Sequence, residues 1–223
     1  MKKILILLLA SLAGSLGLGA APQQASDTQV EKVLVIFKTH LDIGFTDLSS
    51  KVEQRYIDYY IPKAIEVARR LREEGGDERY VWTTGAWLVD AYLRQATPEA
   101  AAELEEAIRR GDIVWNGVPY TVESESMNRA LFEGILRLSQ RLDARVGKHT
   151  SAAKMTDVPG HTRSIVPLLS EAGIGFLHVG TNPAVSVPDV PSVCRWRDPA
   201  SGREIILMYQ GSYGDTMLLP DGR

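Results

Sequence analysis

The chain has 223 residues, of which 44% are hydrophobic and 24% charged, with a formal net charge of −3. That is enough for one domain with a sizeable core, and the mild acidity without a basic cluster argues against nucleic acid as a partner. Cys194, the only cysteine, excludes an intramolecular disulfide and reads as a half-buried strand residue.

In chain order, residues 1–21 read as an export signal. Lys2 and Lys3 form a basic start, residues 4–9 an apolar core, and Gly19-Ala20-Ala21 a small-residue cleavage site. Gly14 and Gly17 break the apolar stretch, so no membrane association is expected after cleavage, and the mature chain is expected to be secreted or periplasmic. Residues 22–29 read as a polar linker and 30–223 as a β/α domain.

That domain opens on an apolar strand over 32–38, running into Lys38-Thr-His40-Leu-Asp42-Ile-Gly44. Successive side chains of a strand alternate, so His40 and Asp42 point the same way. An imidazole and a carboxylate so placed can grip one divalent cation, or pair with each other. A helix is predicted over 56–74, with Ile57, Ile61, Ile65, Ala68 and Leu71 as its stripe and Pro62 as a start or bend. A strand over 79–84 turns at Gly85 into a short helix over 87–95. Thr97 caps a helix reaching 110, with Pro98 in its first position. Further strands are expected over 112–117, 151–156 and 175–179, with helices over 126–145 and 162–172. Residues 195–198 and 204–209 read as a hairpin. This alternation implies a parallel sheet covered by helices, as an incomplete barrel or an open sheet.

Ligands of such folds bind at the carboxyl ends of the strands. There Lys154-Met-Thr-Asp157-Val-Pro-Gly160-His161 ends a strand in an acid and a tight turn. Asp157 is expected to join His40 and Asp42 at one metal, or to serve only as a turn residue. His161 reads as a helix-terminus residue or as a donor behind the ligands. His149 falls in a polar loop, and His178 reads as a core histidine. Among Trp82, Trp87, Trp115 and Trp196, Trp87 is best placed to stack on a sugar ring, although core packing is the commoner fate of a tryptophan. Glu123 and Glu125 stand at the same rim, or serve as acidic charge at the start of the next helix. Tyr209, Tyr213 and Asp215 also fall at the rim.

Four stretches occur in order: the strand with His40-x-Asp42, Trp82-Thr-Thr-Gly85-Ala-Trp87, Gly111-Asp-Ile-Val-Trp-Asn-Gly117, and Asp157-Val-Pro-Gly160-His161. Together, over about 33–182, they resemble the N-terminal catalytic domain of glycoside hydrolase family 38, the α-mannosidases. The Golgi and lysosomal enzymes usually show Asn-Asp after the first histidine and Asp-Pro-Phe-Gly-His as the second motif. The departures here resemble a bacterial side branch. The resemblance implies an irregular parallel β/α barrel of the glycoside hydrolase/deacetylase type, incomplete at the C-terminus. It implies one Zn²⁺ per chain, with His40, Asp42 and Asp157 as ligands and Asp157 also as nucleophile, and a carbohydrate substrate such as an α-mannoside. Trp87, Glu123, Glu125, His161 and Tyr213 are then the expected substrate contacts. The family's general acid and last histidine ligand would fall near or beyond Arg223, with Asp215 as a candidate acid. The chain is therefore expected to be the N-terminal part of a longer enzyme. Alternatives are a metal-dependent polysaccharide deacetylase with Asp157 as base, and a carbohydrate-binding module of the same fold without the chemistry.

Overall fold

Two open sheets carry the strands. The computed structural model describes residues 36–214 apart from Pro159, Pro183 and Val187. The proposed signal segment, the linker, residues 32–35 of the first predicted strand and Asp215 lie outside the described residues.

The first sheet has the order β1 (Phe37–Lys38), β2 (Trp82–Gly85), β3 (Ile113–Asn116), all parallel. The second runs β4 (Ala152–Asp157), β5 (Phe176–Thr181), β7 (Glu204–Gln210), β6 (Val193–Arg197). Its first three members are parallel, and β6 returns antiparallel beside β7 as the predicted hairpin. The Gly117 amide donates to the Ala152 carbonyl at 2.9 Å, linking the end of β3 to the start of β4. Among the described residues the two sheets do not close into a barrel.

Helices cover the sheets, and local chemistry sets their ends. In α4 (Pro98–Arg110), Thr97 accepts from the Ala100 amide and Gly111 exits in the left-handed region at φ 85°. In α5 (Arg129–Val146), Asn128 accepts from the Leu131 amide, so the helix begins after the predicted 126. Residues Ser124–Ser126 instead form a 3₁₀ turn. The helix expected from 56 begins earlier. α1 (Ser49–Arg55) passes through one π turn (Tyr56–Tyr60) into α2 (Ile61–Glu73). Pro62 follows that turn and lacks the N–H that the Asp58 carbonyl would otherwise receive. α3 (Ala86–Gln95) follows β2, and α6 (Ile165–Glu171) follows β4. No described helix is long and apolar enough to cross a membrane.

Two cores result. Met155, Leu177 and Ile205 of the second sheet pack on Phe132, Ile165 and Leu169 of α5 and α6. Around the first sheet, Ile61 and Ile65 of α2, Leu104 and Ile108 of α4, and Trp82 and Trp115 form the other. Trp82 and Trp115 are thus core residues, and the Trp115 indole donates to Asp143 at 2.9 Å. Cys194 is half-buried on β6, as expected.

Candidate metal centre and cleft

Among the described residues, β1 is tied to β2 through two residue pairs, and one further bond, from the Thr39 amide to the Thr83 carbonyl, continues it. His40 and Asp42 lie just past that point. On the other side, β4 pairs with β5 through six residues and ends at Asp157, opposite Thr181. Asp157 has φ 79°, the only non-glycine among the described residues with positive φ. Aspartate tolerates this conformation better than most residues, and such strain often collects at functional sites.

The three side chains meet. His40 Nε2 lies 3.2 Å from Asp42 Oδ1 and 4.0 Å from Asp157 Oδ2. One ligand atom from each falls within 4.8 Å of the other two. Two donors bound to a tetrahedral zinc at ordinary bond lengths lie about 3.3–3.6 Å apart. One nitrogen and two oxygens at this spacing fit a borderline cation after sub-ångström to ångström movement. All three line a cleft of about 560 Å³.

Neighbours orient the donors. His40 Nδ1 lies 3.1 Å from Thr156 Oγ1, which leaves Nε2 facing the carboxylates. The Asn182 side-chain amide donates to Asp157 Oδ1 at 2.9 Å, and its own oxygen accepts from the Ala184 amide at 2.9 Å. Lys154 lines the cleft and donates to the Thr39 carbonyl at 2.9 Å and to Thr156 Oγ1 at 3.0 Å. Burial, with Lys38 nearby, pushes the Lys154 ammonium down to about 8. Asn182, Thr156 and Lys154 were not picked out by the sequence reading. Thr156 and Lys154 did sit in the motif around Asp157, and period-two alternation places both on one face of β4.

The other expected site residues divide. Trp87 lines the cleft. Tyr213 stacks on the His40 ring, with centroids 4.4 Å apart and planes 20° apart, and Lys38 donates to its carbonyl. It therefore covers the imidazole and does not line the cleft. Glu123 and Glu125 are exposed and outside the cleft lining, the first just before the 3₁₀ turn and the second within it. His161 is also outside it. His161 Nδ1 lies 3.2 Å from Ser124 Oγ, Nε2 is buried, and burial pushes the group down to about 4 against the opposing charge of Glu125. His178 Nε2 bonds Gln210 Oε1 at 2.7 Å, and burial lowers its pKa. His149 is exposed beside Gly173. Tyr209 is a core residue of the second sheet.

The fold has known relatives. The Glycosyl hydrolases family 38 N-terminal domain matches residues 31–216. The chain belongs to glycosyl hydrolase family 38. No curated protein matches it. Among solved structures, it is similar to an alpha-mannosidase from Enterococcus faecalis, with TM-score 0.63 and 12% identity over 78% of this chain and 19% of that one. A protein in glycosyl hydrolase family 38 from the same organism gives TM-score 0.53 and 13% identity over 78% and 18%. A 4-alpha-glucanotransferase from Thermococcus litoralis gives TM-score 0.56 and 15% identity over 84% and 29%. At these identities the likeness is one of fold. The family-38 chain spans less than a third of the length of each of these structures.

Proposed function

We propose that this chain is the N-terminal catalytic part of a zinc-dependent, retaining glycosidase acting on α-mannosides or related glycans. The observation that carries the reading is the meeting of His40, Asp42 and Asp157 in one cleft of a family-38 fold. These three residues are the proposed zinc ligands. Zinc, when bound, would supply a Lewis-acidic anchor for sugar hydroxyls. Asp157 is the proposed nucleophile: its carboxylate attacks the anomeric carbon and the glycosidic bond breaks, leaving a glycosyl ester with the first inversion of configuration. Asn182 holds Asp157 Oδ1, so Oδ2, the oxygen nearer His40, is the one turned to the cleft. Water then displaces the sugar with a second inversion, and a carboxylic acid must protonate the leaving oxygen and later activate that water. Asp215 is retained as the candidate for that acid, and Trp87 as the stacking wall of the cleft. Glu123, Glu125 and Tyr213 are proposed substrate contacts at the rim beyond the cleft lining, and His161, paired with Ser124, is proposed to stand behind them. The two sheets are read as sectors of an irregular β/α barrel. Residues 1–21 are proposed to direct export, which an N-terminal sequence of the purified mature protein beginning near residue 22 would support.

The test is metal content together with trapping. The purified chain is expected to hold about one zinc, lost in His40→Ala. An activated 2-deoxy-2-fluoro mannoside is expected to add one sugar mass to the peptide carrying Asp157. Zinc without any adduct, with acetate released from acetylated glycans, would favour the deacetylase. Sugar binding that persists in Asp157→Asn and needs no metal would favour a binding module.

A further inference from the structure

The metal-site residues come from two strands that are not neighbours. His40 and Asp42 follow β1 of the first sheet, whereas Asp157 ends β4 of the second. No backbone hydrogen bond joins these two ends among the described residues. Three polar contacts do: Lys154 to the Thr39 carbonyl, Thr156 to His40, and His40 to Asp157. The last is long and lies between the proposed ligands themselves. The first two share a chain of bonds, because Lys154 also donates to Thr156 Oγ1 at 3.0 Å.

We infer that Lys154 and Thr156 are positioning residues: a brace across the gap between the sheets that holds His40 Nε2 toward the carboxylates before any metal arrives. The inference rests on the metal reading above. Thr156 Oγ1 is the only partner of His40 Nδ1 among the described residues and fixes the plane of the ring. With a cation on Nε2, the ring proton sits on Nδ1 and is donated to Thr156 Oγ1. Lys154 fixes both ends of this contact. One of its N–H groups sets the Thr156 hydroxyl, and a second holds the peptide carbonyl immediately before His40. Orienting contacts behind a ligand typically carry 10–100-fold of metal affinity.

Electrostatics alone argues the other way, which makes the test decisive. Removing a cationic ammonium beside a metal site should tighten cation binding, whereas removing a brace should weaken it. Zinc affinity of the whole chain is measured by competition with a chelating indicator, beside Co²⁺ absorption as a report of coordination geometry. Lys154→Met and Thr156→Val are expected to weaken zinc by about 10–100-fold. Thr156→Ser, which keeps the hydroxyl, is expected to recover most of the loss. Without metal, ¹⁵N spectra of His40 are expected to show one ordered ring environment in the wild type and exchange-broadened signals in Thr156→Val. Wild-type affinity in both Lys154→Met and Thr156→Val, or tighter binding in Lys154→Met, overturns the brace and leaves the metal site standing. No zinc in the wild type overturns both. Thr156→Ser as weak as Thr156→Val, with His40 signals as sharp as in the wild type, would make Thr156 a packing residue and also overturn the inference.

Discussion

The two halves of the site are held by different means. Asp157 closes a six-pair ladder between β4 and β5, with the apolar core of the second sheet beneath it. His40 and Asp42 follow a strand with two pairs among the described residues, and hydrogen bonds from side chains hold them as well. A backbone ladder places a residue cooperatively, because every pair must shift if one does. Side-chain bonds can be lost one at a time, so single side-chain substitutions reach the His40 half more directly than the Asp157 half.

The largest effect that sharpens this contrast is loss of a donor. His40→Ala and Asp157→Asn should each abolish stoichiometric zinc, read by elemental analysis. Backbone conformation should matter at Asp157, where Asn tolerates positive φ and a β-branched residue does not. Asp157→Val is therefore expected to unfold about 1–2 kcal/mol more easily than Asp157→Asn in denaturant titrations. Next is the support beneath Asp157. Leu177 is wholly buried on β5, and Leu177→Ala should cost about 2–5 kcal/mol through lost contact and the cavity left behind. Zinc affinity below the unfolding transition should change little if the remaining ladder still fixes β4.

A pH effect belongs to the same half. His161 has an ordinary value of 6.5 and a folded value of about 4, so between these the unfolded chain binds more protons. Stability is therefore present above about pH 6.5 and falls as the pH drops toward 4, by a total on the order of 3 kcal/mol. His161→Gln should flatten that limb of the stability profile. On the first sheet, Gly85 is needed for space, since its φ of −75° suits any residue. A Cβ there would overlap the Pro119 carbonyl oxygen across the cleft wall, so Gly85→Ala should cost about 1–3 kcal/mol and perturb Trp87 fluorescence. The smallest expected change is remote from both halves. Thr97→Ala removes the α4 cap and should cost about 1 kcal/mol with zinc affinity untouched. Altered zinc affinity in that variant would break the division into locally held halves.

Much of the fold was legible because its signals are local. Thr97-Pro98 and Gly111 bracket α4 as predicted, and the period-two pattern of Ile205, Leu207 and Tyr209 marks β7. The hairpin turn over 199–202 also follows from its residues. Boundaries moved where side chains competed for the backbone, as at Asn128, or where a helix extended upstream through a π turn, as before Pro62. The rim residues were the least legible. Placing Glu123, Glu125 and Tyr213 needs the paths of loops, and loop paths depend on contacts far away in sequence.

By itself the sequence determined the alternation of strands and helices, the caps, and the His-x-Asp and Asp-x-x-Gly-His motifs with their imidazole and carboxylate groups. Each rests on neighbours within a turn or a strand. Only the tertiary structure decided that the strands form two open sheets, that Asp157 adopts positive φ and lies 4.0 Å from His40, and that Lys154 and Thr156 span the gap between them. His40 and Thr156 are 116 residues apart, and no local propensity acts over that distance. What brings them together is the burial of two apolar cores, which sets how the strand ends face each other.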